Sequence, residues 1–172
     1  MQKSKRIKGL YISLIGVFIL SPDSLLIRLL NLNDLSLIFY RGILPAIATS
    51  LILLIYYKKN IIKAFILIGF AGLLYAFLYS IMHIAFAYSI QHTSVANTLV
   101  LIASAPIFTA ILSLILLKEN PSPITWLTIF FALISIIIIG WGSYTTQGFI
   151  GDIFALITGF SMAASAILVR YF

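Results

Sequence analysis

The chain has 172 residues, of which 62% are hydrophobic and 9% charged, and its mean hydropathy is +1.16. A soluble globular domain is excluded, because a domain of this length cannot hide so much apolar surface from water. Most of the basic residues behind the net charge of +7 lie beside apolar segments. In that position they set membrane topology rather than bind nucleic acid. The absence of cysteine excludes disulfides and thiolate metal sites.

Apolar segments near 20 residues in length predict six transmembrane helices. In chain order they cover residues 9–30, 35–57, 64–90, 95–117, 124–142 and 151–172. The third is long enough to tilt or to protrude from the bilayer. Isolated strands would leave backbone groups unpaired in lipid. We therefore expect an all-α fold, a polytopic transmembrane helical bundle of about six helices.

The distribution of Lys and Arg predicts a cytoplasmic N-terminus in a multi-pass protein of the cytoplasmic membrane. Basic residues occur before the first helix, after the second and after the fourth. They are Lys3, Lys5, Arg6, Lys8, Lys58, Lys59, Lys63 and Lys118. The opposite loops, including residues 144–147, contain none. A secretory signal peptide is the rival interpretation of residues 1–22, but its apolar run is long and no clear small-x-small site follows.

The first and last predicted helices resemble each other. Residues 9–30 and 151–172 align without a gap at an offset of 142, with six identities in 22 positions. The identities include Gly9 with Gly151 and Arg28 with Arg170. Because five helices separate the two starts, the copies cross the membrane in opposite directions. This arrangement is typical of the inverted repeats of secondary transporters.

Three ionisable residues are predicted at a similar depth within the membrane. Asp23, Arg41 and His83 each lie seven or eight residues from an outer loop, which corresponds to about 10–12 Å. Ionisable groups within a span are functional candidates. Arg41 is a candidate to attract an anionic group of a solute, or to form a static ion pair with Asp23. Asp23 is also a candidate proton-coupling group. His83 is a candidate for a helix-packing hydrogen bond to a neighbour, or for a solute or proton role.

The other candidate solute-binding residues are polar or aromatic. Asn97 is a candidate for solute contact, for helix capping or for an interhelical hydrogen bond. Tyr79 is a candidate for solute contact or for an interfacial aromatic belt. His83 and His92 have no Cys or carboxylate at ligand spacing, so we expect no metal and no cofactor. Pro106 permits a kink that lines a cavity in some transporters.

Four stretches carry a recognisable pattern. Residues 85–120 read AFAYSIQHTSVANTLVLIASAPIFTAILSLILLKEN, with Pro106 central in an apolar helix and Glu119 thirteen residues later. Residues 39–42 read FYRG, and residues 21–29 read SPDSLLIRL. With residues 151–172, these resemble EamA-type members of the drug/metabolite transporter superfamily. Lys118 stands where that family usually has Gly. The resemblance implies that Glu119 pairs with a cytoplasmic base in a gate, and the alternative is a solvated acid in a loop.

Family members generally have ten helices in two units of five. The resemblance therefore implies a first five-helix unit at residues 1–145 and the first helix of a second, incomplete unit at residues 146–172. A truncated gene product, a split gene and a trimmed chain are all compatible with this organisation. The expected partners are the bilayer and a small solute, with a homodimer or a missing C-terminal half as candidate protein partners.

The implied function is transport of a small metabolite or drug-like solute by alternating access, within a ten-helix protein. Proton coupling and facilitated exchange are both open. The alternative is a non-transporting membrane fragment or assembly subunit. An enzyme is not expected, since the chain has no Walker A, H-E-x-x-H or G-x-S-x-G motif.

Overall fold

The computed structural model describes residues 2–30, 32–58, 61–142 and 148–172, and every regular element in these ranges is helical. The elements are α1 (Gln2–Leu20), α2 (Asp23–Leu29), α3 (Asp34–Tyr57), α4 (Ile61–His92), α5 (Val95–Ile102), α6 (Ala105–Leu112), a π-helical turn (Ser113–Leu117), α7 (Pro123–Gly142) and α8 (Phe149–Tyr171). The chain forms two compact units, Met1–Asn31 and Leu32–Phe172. The all-helical fold class is thus confirmed.

Five stretches among the described residues are long and apolar enough to cross a membrane. They are Gly9–Leu29, Asp34–Tyr57, Ile68–His92, Val95–Leu117 and Phe149–Tyr171. The predicted fifth segment corresponds to α7, whose apolar stretch Pro123–Ile138 is shorter. The predicted loop at residues 144–147 and the basic residue Lys59 lie outside the described residues.

Two of the predicted helices are divided, and both divisions occur at a proline. The segment 9–30 breaks at Ser21 and Pro22 between α1 and α2, which the sequence analysis did not predict. The segment 95–117 breaks between α5 and α6, with Pro106 in the first turn of α6, as expected for a kink. Proline has no amide hydrogen to continue the helical ladder. Pro45, in contrast, remains inside the continuous helix α3.

Helix α4 also contains a non-helical residue. Gly69 has φ +58° and ψ −157°, a conformation that glycine tolerates because it has no Cβ. The helix therefore changes direction there, and its membrane-spanning part is Ile68–His92.

The second unit is organised around α8, which packs against α4, α5 and α6. A row of residues at every fourth position of α8 is buried. The row consists of Gly151, Ala155, Gly159, Ala163 and Ile167. Small residues allow helix backbones to approach closely in a membrane, where no hydrophobic effect drives helices together. A Cβ on Gly151 would lie only 2.8 Å from backbone and side-chain atoms of His92 and Thr93.

Polar side chains buried between these helices have hydrogen-bond partners. Ser89 of α4 and Thr98 of α5 are fully buried, and their hydroxyl oxygens lie 2.9 Å apart. The hydroxyl of Ser165, on α8, donates to the carbonyl of Ser161 at 2.8 Å. These bonds remove the cost of placing hydroxyl groups in an apolar environment.

The close approach at Gly151 leads to a matched prediction. We expect Gly151→Ala to destabilise the protein by about 1–3 kcal/mol, because the added methyl group overpacks the contact with α4. Gly9 is the counterpart of Gly151 in the repeat. A Cβ added to Gly9 would have no atom of the first unit within 4 Å. Gly9→Ala should therefore be neutral or stabilising, as expected from helix propensity. Thermal unfolding of both variants in detergent tests this, and equal effects would contradict the packing account.

Lys118, the residue after the π-helical turn, has a backbone conformation that favours glycine. Lys118 has φ +55° and ψ +28°, and its amide donates to the carbonyl of Ser113. This left-handed conformation costs a residue with a Cβ roughly 1–2 kcal/mol, and glycine avoids that cost. Lys118, which departs from the EamA pattern, therefore has a backbone conformation better suited to the glycine usual in that pattern.

Replacement of this lysine should stabilise the chain. Lys118→Gly relieves the left-handed strain but raises the entropy of the unfolded chain, so the expected net gain is up to about 1 kcal/mol. Lys118→Ala removes the same charge and retains the strain, which makes it the matched control. A higher melting temperature for the glycine variant alone is the expected result; equal shifts would attribute the effect to charge.

Candidate functional site

A groove of about 490 Å³ lies between α3 and α4. Its lining combines one cationic, one imidazole and several hydroxyl side chains with apolar ones. The lining residues are Ile38, Arg41, Gly42, Pro45, Ala46, Thr49, Tyr79, Ser80, His83 and Ile84. This volume is within the range of small-molecule sites.

The charged group of the groove is held over an aromatic ring. The guanidinium carbon of Arg41 lies 5.2 Å from the centroid of the Phe86 ring, a cation–π distance. On α4, Tyr75, Tyr79 and His83 follow each other at four-residue intervals and form one aromatic row. Tyr75 stacks on Tyr79 at 5.7 Å, and Tyr79 contacts the His83 ring at 4.5 Å. The groove thus presents an ordered cation beside aromatic faces.

Hydroxyl groups in the groove are oriented by the helices that carry them. Thr49 Oγ1 donates to the carbonyl of Pro45 at 2.6 Å, and Ser80 Oγ donates to the carbonyl of Ala76 at 2.8 Å. Pro45 supplies no amide hydrogen to the ladder. The Thr49 hydroxyl bonds the carbonyl of Pro45 itself, in the i−4 pattern that threonine commonly adopts within helices. Both hydroxyl oxygens remain able to accept from a solute.

A polar cluster joins three helices beyond one end of the groove. The imidazole of His92 donates from Nε2 to Asp34 Oδ2 at 2.8 Å, which links the end of α4 to the start of α3. Thr93 Oγ1 donates to Asp152 Oδ1 at 2.7 Å, which links the same region to α8. The Tyr88 ring stacks on His92 at 4.0 Å. The predicted segments left Asp34, His92 and Thr93 between helices and placed Asp152 in the last helix, and the sequence analysis paired none of them.

A second polar cluster lies at the other end of α8. Arg170 Nη2 donates to both carboxylate oxygens of Glu119, at 2.9 and 2.7 Å. The hydroxyl of Ser113 donates to the same carboxylate at 3.3 Å. Arg170 is thus the basic partner of Glu119 that the resemblance implied but did not name.

The separation of the clusters matches a bilayer. Asp152 and Arg170 are 18 residues apart on α8, which corresponds to about 27 Å of helix. The hydrocarbon core is about 30 Å thick, so we expect one cluster near each membrane surface. Arg41 and His83 lie seven and nine residues inward from Asp34 and His92. With the first cluster at a surface, the groove is expected about 10–14 Å below it.

The five predicted solute-binding residues do not all meet. Arg41, Tyr79 and His83 line the groove. Asn97 is buried in α5. Its backbone amide donates to the side-chain hydroxyl of Ser94, the N-cap residue of that helix. Asp23 begins α2 in the first unit. Its pairing with Arg41 stays a prediction.

Sequence reasoning missed the hydroxyl groups of the groove. Thr49 lies eight residues after Arg41 on α3, and Ser80 follows Tyr79 on α4. The eight-residue spacing from Arg41 places Thr49 on the same helical face, and this signal was available. Ser80 had no such signal, since its position depends on how α3 packs against α4. Among the described residues, no group of three or more His, Asp or Glu side chains is placed to hold a metal ion.

The five apolar helices of spanning length in the described part of the chain define a polytopic helical membrane protein. The model of the EamA-like transporter family matches residues 7–141, and the chain belongs to that family. It is a membrane transporter of the drug/metabolite type. No curated protein and no solved structure matched the chain.

Proposed function

We propose that the chain transports a small solute with an anionic group, and that the groove between α3 and α4 binds it. The observation that carries this proposal is the position of Arg41, which lines a groove within a membrane span together with Tyr79 and His83. A charged residue within a span is costly, with an upper value of about 2.5–3.5 kcal/mol at the helix centre on insertion scales. Such a cost is expected where the charge serves binding.

The groove favours an anion with a flat apolar portion. The guanidinium group offers paired donors that fit a carboxylate or phosphate group. The neighbouring rings of Tyr75 and Tyr79 offer faces for an apolar portion. Thr49 and Ser80 supply hydroxyl oxygens that accept from a solute donor. Proton coupling and facilitated exchange both fit this set of groups.

Transport by alternating access needs a second unit that moves against the first. We assign α8 to the start of such a unit, because residues 151–172 align with residues 9–30 and the family match ends before α8. The second unit follows in the same protein or comes from a partner. In this proposal the domains are residues 1–145 and the segment that starts at residue 146.

We assign the protein to the cytoplasmic membrane with its N-terminus inside, because Lys and Arg are concentrated in alternate loops. The Asp34–His92 cluster is then on the outer surface and the Glu119–Arg170 cluster on the inner surface. The groove is reached from outside in this orientation.

Arg41→Gln should reduce uptake about tenfold or more, because the variant loses a charge-assisted hydrogen bond to the solute. The assay is uptake into proteoliposomes over a panel of radiolabelled carboxylates, phosphates and amino acids. Lys58→Gln removes a basic residue from the end of the same helix and should leave uptake unchanged.

Two outcomes would count against this proposal. Normal uptake by a well-expressed Arg41→Gln variant would remove Arg41 from the binding site. No uptake of any solute by the folded chain would contradict autonomous transport and favour the alternative of a non-transporting subunit.

Because the chain has no native cysteine, cysteines introduced into α8 are the only thiols available for labelling, and they test the orientation. Single cysteines replace Phe149, Phe160 and Phe172, which are all exposed and lie at the start, middle and end of the helix. We expect a membrane-impermeant maleimide to label position 149 in intact cells, position 172 only after permeabilisation, and position 160 in neither case. Labelling of position 172 in intact cells would reverse the orientation.

A further inference from the structure

A second cavity, of about 480 Å³, lies between α6, the π-helical turn, the start of α7 and the end of α8. We call it the α6–α8 cavity. It shares no lining residue with the groove between α3 and α4. Its charged lining residues are Glu119 and Arg170, and Thr109 and Ser113 add hydroxyl groups. The proposed transport site uses none of these residues.

The ion pair at this cavity is accessible to a ligand. The side chains of Arg170 and Glu119 are 56% and 51% exposed, respectively. An exposed ion pair contributes little net stability, because water solvates both charges when they separate. The pair can therefore open toward a ligand at low cost, while the hydroxyl of Ser113 stays within 3.3 Å of the carboxylate.

Charge balance selects the kind of ligand. An anion bound to Arg170 would compete with Glu119 and be repelled by it. A cation bound to Glu119 would likewise compete with Arg170 and be repelled by it. A zwitterion replaces both halves of the ion pair at once. Its anionic oxygens accept from the guanidinium group of Arg170, and its ammonium group donates to the carboxylate of Glu119.

The rest of the lining accommodates a small apolar portion. Ala105, Ala110, Ala163, Ala166 and Met162 form the wall below the ion pair. The first four side chains are single methyl groups, and the methionine chain adjusts to the shape of a ligand. Because Arg170 is in the last turn of α8, the mouth of the cavity is near a membrane surface.

We propose that the α6–α8 cavity binds a small zwitterion, with its anionic end on Arg170 and its ammonium group on Glu119. Two sources share this chemistry: a free amino acid with an apolar side chain, and the phosphate–ethanolamine headgroup of a lipid. The proposal goes beyond the transport site and does not depend on Arg41.

The test measures binding to the purified 172-residue chain in detergent by calorimetric titration. The solute arm compares L-leucine with N-acetyl-L-leucine, which is only anionic, and L-leucine methyl ester, which is only cationic. The lipid arm compares dihexanoyl phosphatidylethanolamine with dihexanoyl phosphatidylglycerol, which is anionic. Saturable binding of at least one zwitterion, about tenfold tighter than its singly charged analogues, is expected. The arm that binds identifies the source.

Variants assign the binding to the cavity. Arg170→Gln and Glu119→Gln should each weaken zwitterion binding about tenfold or more, and Lys58→Gln, which removes a positive charge outside both cavities, should leave it unchanged. Size-exclusion profiles and melting temperatures without ligand report folding. If a neutral variant does not fold, Arg170→Lys and Glu119→Asp keep both charges, and weaker binding is again expected because the paired geometry is lost.

Three results would overturn the proposal. The first is no saturable binding of either zwitterion at millimolar concentration. The second is equal binding of a zwitterion and its singly charged analogue. The third is binding that Arg41→Gln abolishes and Arg170→Gln preserves, which would assign the zwitterion to the groove and leave the proposed transport function intact.

Discussion

Helix α8 approaches α4, α5 and α6 closely because every fourth residue on its inner face, from Gly151 to Ala163, is glycine or alanine. In lipid no hydrophobic effect draws helices together, so close packing and hydrogen bonds must hold them. The contact at Gly151 leaves no room for a Cβ. It also brings Thr93 and Asp152 within hydrogen-bond distance. The packing of α8 therefore positions the polar residues at both of its ends.

Polar groups in the second unit are confined to places where they have a partner or a role. Hydroxyl groups such as Ser89 and Thr98 pair inside the bundle. The charged clusters lie about 27 Å apart along α8, near the thickness of the hydrocarbon core. Arg41 is a charged residue inside a span rather than at its end, where it contacts the Phe86 ring and lines the groove. The transport proposal rests on that position.

The sequence predicted an all-helical fold because apolar length determines what crosses a bilayer. Five of the six predicted segments are long and apolar enough to span among the described residues. The sequence did not predict the break at Pro22, since hydropathy does not report local backbone geometry, and Pro45 remains inside a helix. Counting residues from the predicted loops placed Arg41 and His83 at one level, and the structure brings both into the groove. Depth alone does not specify which helices face each other. The sequence analysis therefore grouped Asn97 with the groove residues, although Asn97 lies in α5 and does not line the groove. The pairing of Glu119 with Arg170, 51 residues apart, required the tertiary packing.

The central claim is that Arg41 makes the groove selective for anions. A cysteine in place of Ile84, which lines the groove, is reacted with a negatively and a positively charged methanethiosulfonate reagent. The ratio of the two reaction rates is divided by the ratio that the same reagents give with a small free thiol, which corrects for their intrinsic reactivities. The account predicts a corrected ratio that favours the negative reagent and falls to about one with Arg41→Gln. No reaction at position 84, or a ratio that the Arg41 substitution does not change, would contradict it.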